Sequence, residues 1–464
     1  MKLPLAEAIA VTGAIATHAG RLPESAGVST DTRTLVPGDL YVALAGANYD
    51  GHRFAQDALA KGACAALVSD RACLPDDAPA LVVDDTLLAY QALGALARAR
   101  LDARVVAITG SAGKTTTKAL IAQLAAAAKF GPVAATPANE NNEFGVPRLF
   151  LNAAAGVRFV AVEMGARRYG EIAPLARIAR PEVAVVTNVG EAHLELMGTR
   201  ERIAETKFGI FATDAKPVLH AFDRASFERA SQFAQAPLWF AAESPPWSHD
   251  RRSFERFPTV WASRTLLSFD DGRGRRELAM DCRLPGEHNL ANLAAAIAAL
   301  FACGADLETL AAAVPSLTLP AGRYERARAG DVDVVYDAYN ASMSGTLATL
   351  ASFALEHAPR KLAVIGSMAE LGPESSAMHA KVGAAAAKAH LAALLVGGDF
   401  AEDLARGARD AGFPADRIAR FDDNDDAVSW LRANVQCGDL VLLKGSRRYR
   451  LEEVLEGLRA AHAG

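Results

Sequence analysis

Cysteine is scarce: five residues in 464, at positions 64, 73, 282, 303 and 437, with no two at the C-x-x-C spacing of a metal or redox site. A disulfide framework is therefore excluded, and the thiols read as reduced and mostly buried. A charge excess of one sign is also missing. Lysine and arginine number 49 against 54 aspartate and glutamate, a formal net charge of -5, so no broad basic field exists to meet a nucleic acid or an anionic membrane surface. The start, Met1-Lys2-Leu3-Pro4-Leu5, lacks a charged segment followed by a long apolar run; no signal peptide is expected, and the chain is expected in the cytoplasm. The one long uncharged stretch, His288 to Ala305, is mainly alanine and carries His288, Asn289, Asn292 and Gly304, which predicts a buried helix and not a membrane span. No short-period repeat or low-complexity tract is present. Neither nucleic acid nor membrane is expected as a partner, and a monomer is expected.

What is present is the composition of a soluble globular enzyme, 51% hydrophobic and 22% charged. A chain of 464 residues exceeds one hydrophobic core, and about three domains of roughly 150 residues are expected. Residues 1–100 read as a small α/β unit, with strands predicted at Leu40–Leu44, Ala65–Val68 and Leu81–Val83 and helices at Phe54–Lys61 and Thr86–Arg100. Residues 101–316 bring strands at Val105–Ile108, Phe159–Val162 and Val183–Val186. The polar stretches Pro237 to Pro258 and Asp270 to Gly274 are expected as loops and hairpins. In residues 317–464 the pattern restarts with strands at Val332–Tyr336, Leu362–Ile365, Leu391–Val396 and Leu440–Leu443, a Rossmann-like third unit. The fold class is α/β throughout, mostly parallel sheets whose ligands gather at the strand C-termini.

The strand Val105–Ile108 runs into Thr109-Gly110-Ser111-Ala112-Gly113-Lys114-Thr115-Thr116 and then into a helix predicted from Lys118 to Lys129. Small residues let backbone N–H groups approach a polyphosphate, Lys114 adds a positive charge, the Thr115 hydroxyl can reach Mg²⁺, and a helix N-terminus favours anions. The loop is a shortened variant, with Ile108 where the strict pattern has glycine. Glu163 and His193 each follow a strand and are candidates, with Thr115, to hold magnesium. Taken alone, His193 also reads as a structural hydrogen-bonding residue and Lys207 as a solvated helix lysine.

Together the loop, Glu163, His193, Lys207, Glu287-His288-Asn289-Leu290-Ala291-Asn292, Gly322-Arg323 and Asp337-Ala338-Tyr339-Asn340 resemble the ordered landmarks of the Mur ligase superfamily over nearly the whole chain. The resemblance implies three domains: a UDP-sugar-binding domain, a central ATPase domain of P-loop type and a C-terminal ligase domain. It also implies ATP and Mg²⁺ as cofactors, a carbamylated Lys207, and Lys114, Glu163, His193 and Lys207 as the catalytic group. ATP would be held by Gly110, Ser111, Ala112, Gly113, Lys114, Thr115 and Thr116, with His288, Asn289, Asn292, Arg323 and Asp337 toward the nucleoside and the closing domain.

Ser29-Thr30-Asp31-Thr32-Arg33, Asp50-Gly51-His52-Arg53-Phe54 and Thr136-Pro137-Ala138-Asn139-Glu140-Asn141-Asn142-Glu143-Phe144-Gly145-Val146-Pro147 are similar to the branch that joins D-alanyl-D-alanine to UDP-N-acetylmuramoyl-tripeptide. Those two compounds are the partners this implies. Ser29, Thr30, Arg33, Asp50, His52, Phe54, Asn139, Asn141, Asn142, Tyr339, Asn340, Lys444 and Ser446 are the substrate candidates. Guanidinium forks suit diphosphate and asparagines suit peptide or sugar, although such residues also simply populate surfaces and turns.

The implied reaction activates a carboxylate with ATP as an acyl phosphate and passes it to an amine. Three departures from the family pattern stand out: Gly209 where a glutamate is common, Ser342-Met343 where Asn-Pro is common, and His220-Ala221-Phe222-Asp223 where an asparagine precedes the Ala-Asp step. They keep open a paralogue that joins another acid and amine. A non-catalytic P-loop switch is the other alternative; the chain lacks the Asn-Lys-x-Asp signature of a guanine site.

Overall fold

The computed structural model describes residues 1–46, 49–191, 194–242, 259–270 and 274–461. Three larger sheets follow one another along the chain. The first has five strands, Ile15–Thr17 (β1), Val28–Ser29 (β2), Leu40–Val42 (β3), Ala65–Val68 (β4) and Ala80–Val82 (β5), in the order β1-β5-β4-β3-β2. Only the β1–β5 pair is antiparallel.

The helix Thr86–Ala99 (α1) ends this unit and leads into the second. The central sheet contains Arg104–Thr109 (β6), Val133–Ala135 (β7), Phe159–Glu163 (β8), Val183–Val186 (β9), Lys216–His220 (β10), Leu238–Ala242 (β11), Thr259–Ala262 (β12), Leu266–Asp270 (β13) and Arg275–Ala279 (β14). Its order is β7-β8-β6-β9-β10-β11-β12-β13-β14, parallel up to β12 and antiparallel over the last two.

A parallel sheet needs both faces covered, which is why its strands are continuous apolar runs. Along β6, Val105 and Ala107 point into the core formed with Val160, Val162 and Phe150, while Val106 and Ile108 point into the one formed with Leu120, Leu124 and Ile297. The period of two separates these faces, and each fully buried Val or Ile contributes roughly 1.5–3 kcal/mol. The second face is covered by Lys114–Ala127 (α2) and by His288–Ala302 (α6), whose alanines let it lie close to the sheet. The first face is covered by Gly145–Leu151 (α3) and Ile172–Ala179 (α4).

The third sheet comprises Glu325–Ala329 (β15), Val332–Tyr336 (β16), Lys361–Gly366 (β17), Ala393–Gly397 (β18), Ile418–Phe421 (β19) and Leu440–Lys444 (β20). Its order is β15-β16-β20-β17-β18-β19, with only the β15 edge antiparallel. Among the described residues no helix is long and apolar enough to cross a membrane.

Two expectations change. The loop expected from Pro237 contains a strand, because Leu238-Trp239-Phe240-Ala241-Ala242 is an apolar run buried beside β10 and its hydrophilic flanks masked it; residues 243–258 lie outside the described residues. The helix after the glycine loop starts at Lys114, one turn before Lys118. Its first turn is rich in β-branched threonine, poor in intrinsic helix propensity, and is held instead by side-chain contacts, Thr115 with Glu163 at the end of β8 and Thr117 with Asn292 of α6.

In the central sheet β6 has β8 on one side and β9 on the other, so the chain's winding reverses there and a crevice opens at the strand C-termini. The first unit is set against this edge through α1. Gly94 lies so close to α3 that a Cβ would fall 2.6 Å from Pro147 Cβ and 2.7 Å from Pro147 Cα, and Arg98 Nε donates to the Ala179 carbonyl at 2.8 Å. Gly94→Ala is expected to cost about 1–3 kcal/mol, because backbone must move to admit the methyl; a thermal melt that is unchanged would show that the two helices are not in this contact.

Candidate active site

The phosphate loop owes its shape to two glycines and one neighbouring strand. Gly110 has φ +149° and Gly113 φ +83°, conformations costly for other residues. A side chain on Gly110 would run into Thr187, and one on Gly113 into Asn292 of α6. The segment after β9 then clamps the loop. Asn188 Oδ1 accepts from Ala112 N at 3.0 Å, its Nδ2 donates to Ala112 O at 3.2 Å, and Thr187 Oγ1 donates to the same carbonyl at 2.5 Å. Ser111 Oγ accepts from Gly190 N at 2.8 Å. Beyond this clamp the first N–H groups of α2, from Lys114 to Thr116, have no intrahelical partner and face the crevice end of the sheet.

Lys114 Nζ donates to Gly110 O at 2.9 Å, and burial lowers its pKa, with Glu163 opposing and Arg323 adding to the fall. Glu163 ends β8 and is buried. Its Oε1 accepts from Thr115 Oγ1 at 3.2 Å and from Asn141 Nδ2 at 2.8 Å. Its Oε2 lies 3.2 Å from Lys118 Nζ, an ion pair outside hydrogen-bond geometry, so that oxygen has no hydrogen bond. Lys207, in the helix Arg200–Phe208 (α5), is also buried; burial and then repulsion from Lys114 push its pKa far down. His193 lies outside the described residues.

The nucleoside candidates form a second group. Asn289 Nδ2 donates to Pro285 O at 2.8 Å, Asn292 Nδ2 donates to Asn289 Oδ1 at 2.9 Å, and Thr117 Oγ1 donates to Asn292 Oδ1 at 3.3 Å. The His288 ring contacts Ser352 Oγ at 2.9 Å across to the third unit, and burial lowers its pKa to about 4. Arg323 reaches back to the phosphate loop, donating from Nη2 to Thr115 Oγ1 at 3.3 Å, with its guanidinium 4.2 Å over the Tyr339 ring and its buried Nε lacking a hydrogen bond.

Asp337 is buried and accepts from Tyr324 N at 3.1 Å, Thr349 Oγ1 at 2.5 Å and Lys444 Nζ at 2.9 Å. Burial alone would raise its pKa; Lys444, His288 and Thr349 together hold it below the usual range. Lys444 also donates to Asn340 O at 3.0 Å, so this substrate candidate is spent on internal bonds, and Ser446 is buried beside Ser367.

A cavity of about 900 Å³ lies where the first unit meets the central one. Thr30, Arg33, Phe54, Asn139 and Asn142 line it, together with Tyr49, Tyr90, Glu140 and Arg148, which sequence reasoning did not single out. Arg33 is tied to Asp31 by a two-pronged bond, Nε to Oδ1 at 2.9 Å and Nη2 to Oδ2 at 2.7 Å, which pulls the Asp31 pKa down to about 2. Its side chain nevertheless remains exposed to the cavity. Tyr49 and Phe54 stack at 5.8 Å.

Ser29, Asp50 and His52 do not line the cavity. Ser29 Oγ closes a local turn onto Asp31, and His52 bridges Asp50 Oδ1 at 2.7 Å and Ser69 N at 3.0 Å. Because Ser69 N donates to Nε2, the Asp50 contact takes the proton on Nδ1. Asn141 likewise turns away from the cavity and toward Glu163. Lys118, Thr136, Thr187 and Asn188 also belong to the site. The last two stand directly after a strand, a position that could have revealed them.

Two of the three departures have local explanations, and nothing in the structure explains His220. Ser342 caps the helix Met343–Ala354 (α7) by accepting from Gly345 N at 3.3 Å, a role serine and asparagine fill about equally. A Cβ on Gly209 would sit 3.1 Å from Ala173 N and 3.2 Å from Ala173 Cβ, so close packing of α5 on α4 leaves little space for a glutamate. Asp223 keeps its place, accepting from Val189 N at 2.9 Å and so fastening the segment that clamps the phosphate loop.

Comparison with known proteins bears on the fold and the family. Residues 24–100 match the Mur ligase family catalytic domain, 108–300 the Mur ligase middle domain and 322–447 the Mur ligase glutamate ligase domain. The chain is 36% identical to the UDP-N-acetylmuramoyl-tripeptide–D-alanyl-D-alanine ligase of Synechocystis over 93% of its own length and 92% of the relative's, and 33% identical to that of Escherichia coli over 93% of both. Its structure resembles MurF from Acinetobacter baumannii with a TM-score of 0.86 at 25% identity over 99% of both chains. It also resembles the MurF ligase of Thermotoga maritima in complex with ADP, with a TM-score of 0.77 at 30% identity over 94% of this chain and 98% of the other. Matched by Mur ligase models in all three of its α/β units and by relatives more than 30% identical over nearly its whole length, this chain belongs to the Mur ligase family.

Proposed function

We propose that the chain uses ATP to join the free carboxylate of UDP-N-acetylmuramoyl-tripeptide to the amine of D-alanyl-D-alanine, acting in the cytoplasm. The observation that carries this reading is the segment 139–142. Asn139 and Asn142 line the large cavity while Asn141 bonds Glu163 beside the phosphate loop, so a long substrate held in the cavity has its reacting end delivered to the phosphates. Residues 1–100 hold the UDP-sugar, with the Tyr49–Phe54 stack and Arg33 suited to a base and a diphosphate. Residues 101–316 hold ATP, and residues 317–464 bring the amine and Arg323.

A carboxylate oxygen attacks the γ-phosphorus and the bond to the β-phosphate oxygen breaks, releasing ADP and leaving an acyl phosphate. The amine nitrogen then attacks the acyl carbon, the tetrahedral adduct expels phosphate, and the nitrogen loses a proton. Lys114 and Arg323 neutralise charge spread over the transferred group, which is where phosphoryl-transfer catalysis chiefly lies. Contact between units, through Arg323 to Thr115 and His288 to Ser352, holds acid and amine together and excludes water from the acyl phosphate.

The residues fit magnesium. Glu163 Oε2 is buried without a hydrogen bond, and Thr115 Oγ1 bonds the other oxygen of the same carboxylate at 3.2 Å. Among the described residues no three His, Cys, Asp or Glu side chains converge, which suits a cation that takes few protein ligands and completes its shell with phosphates and water. When bound it would supply Lewis-acid stabilisation of phosphoryl oxygens. Lys207 fits carbamylation, because burial and then repulsion from Lys114 push its pKa well down and so favour the uncharged, nucleophilic amine. A paralogue with other substrates draws no support from Ser342 or Gly209, since each meets the local demand of cap or packing.

Purified protein is expected to release phosphate from ATP, and to form the pentapeptide product by mass, only when both UDP-N-acetylmuramoyl-tripeptide and D-alanyl-D-alanine are present; release with another amine alone would remove the substrate assignment. Lys114→Met should lower kcat by roughly 10²–10³, measured in the same assay. Lys207→Ala should abolish turnover, with partial recovery on adding short-chain carboxylates; full activity in the variant would dispose of the carbamate.

A further inference from the structure

Lys118 has no role in the reaction described above, yet it is a buried lysine, 5% exposed, one turn along α2 from Lys114. Its ammonium has three donors and three neighbours: Glu163 Oε2 at 3.2 Å, Thr136 O at 2.8 Å and Ala138 O at 3.2 Å. None of these is solvent or cavity. Thr136 is in turn bound to Glu163, whose N–H donates to Thr136 Oγ1 at 2.9 Å.

The two carbonyls belong to the start of the segment that forms the cavity wall. Ala138 takes φ +43°, an unfavourable value for a residue with a side chain, and two carbonyls turned onto one cation hold the backbone in that shape. The wall follows at once. Asn139, Glu140, Asn142 and Gly145 line the cavity, while Asn141 Nδ2 bonds Glu163 Oε1 at 2.8 Å and Asn141 O accepts from Gly165 N at 2.7 Å. Glu163 and Lys118 together therefore grip this wall at its first turn and at its middle, and Glu163 touches Thr115 on the nucleotide side.

We infer that Lys118 is a positioning residue that couples the phosphate site to the wall of the substrate cavity, so that nucleotide and UDP-substrate strengthen each other's binding through it. With a cation and polyphosphate bound, Glu163 would be shared between the cation and Lys118, and the Lys118 ammonium would lean on Thr136 O and Ala138 O and tighten the wall. By linkage, a substrate that orders the wall strengthens nucleotide binding by the same factor.

The inference rests on the ligase reading for its choice of ligands. The test is calorimetric titration of the full chain with UDP-N-acetylmuramoyl-tripeptide, with and without Mg²⁺ and a non-hydrolysable ATP analogue. In the wild type the analogue is expected to lower the substrate Kd roughly 5–150-fold, the usual range of such coupling. In Lys118→Met the two Kd values should agree within about twofold, the scatter expected of uncoupled sites. If Lys118→Met does not fold, because Glu163 is left buried without its cation, Lys118→Gln keeps an uncharged amide with two N–H donors for the carbonyls and should also lose the coupling. A wild-type ratio near one, or a folded variant that binds both ligands more weakly yet keeps the wild-type ratio, overturns the inference and leaves Lys118 a merely structural residue. A wild type that binds no UDP-substrate at all overturns the ligase reading instead.

Discussion

The structure depends on one buried carboxylate set among basic side chains. Glu163 is the acid of the phosphate site: Lys118 Nζ lies 3.2 Å from it and Lys114 is close enough to feel its charge, while Arg323 acts in turn on Lys114, and Lys114 on Lys207. One negative charge does not balance that group. Burial, and then repulsion among like charges, lowers the pKa of Lys114 and Lys207. A triphosphate would bring the negative charge that this group calls for. The fold supplies the packing that holds the site in shape: apolar strands on both faces of β6 and β8, and helices whose small residues allow close approach.

That packing also decides what can move. The phosphate loop is held by Thr187, Asn188 and Gly190, all from the segment after β9, and Asp223 holds that segment from the next crossover. Loop geometry is therefore a property of the central sheet and not of the loop alone. Contacts from the third unit are of several kinds. Arg323 reaches Thr115 and His288 meets Ser352 through side chains, Glu195 N donates to Glu370 O at 3.4 Å, and Met368 and Leu371 share one buried cluster with Leu194 and Met197.

Much of this was legible from the residues. Continuous β-branched runs marked β6, β8 and β9, and the glycine loop marked the nucleotide site because its chemistry is local: backbone, one lysine, one hydroxyl. What escaped was long-range. Lys118 reads as an ordinary helix lysine until β7 and β8 bring Thr136 and Glu163 to it, and Asn141 reads as a cavity residue like its neighbours until the turn at Ala138 faces it the other way. Lys444 and His52 were expected at substrate; the fold commits one to Asp337 and the other to Asp50 and Ser69, since a buried or half-buried donor must find a partner wherever the topology offers one. Strand β11 was hidden because five apolar residues between polar flanks look like a loop until a neighbouring strand pairs with them.

The departures from the family pattern carry a related lesson about what a motif letter means. Asparagine followed by proline at the start of a helix does two things: the first residue caps the N-terminus and the second presets the first helical turn. Serine can do the first, and a helix packed on a core does not depend on the second; Ser342-Met343 keeps the cap, with Met343 buried. A glutamate two positions after Lys207 would project from the end of α5, and here that end packs against Ala173, so a side chain there would require α4 to give by a few tenths of an ångström. Neither change touches Lys114, Glu163 or Arg323. Substrate identity should therefore be sought in the residues that line the cavity and the face of the third unit turned toward it, where a changed side chain meets ligand, and not in positions whose letters answer to caps and packing.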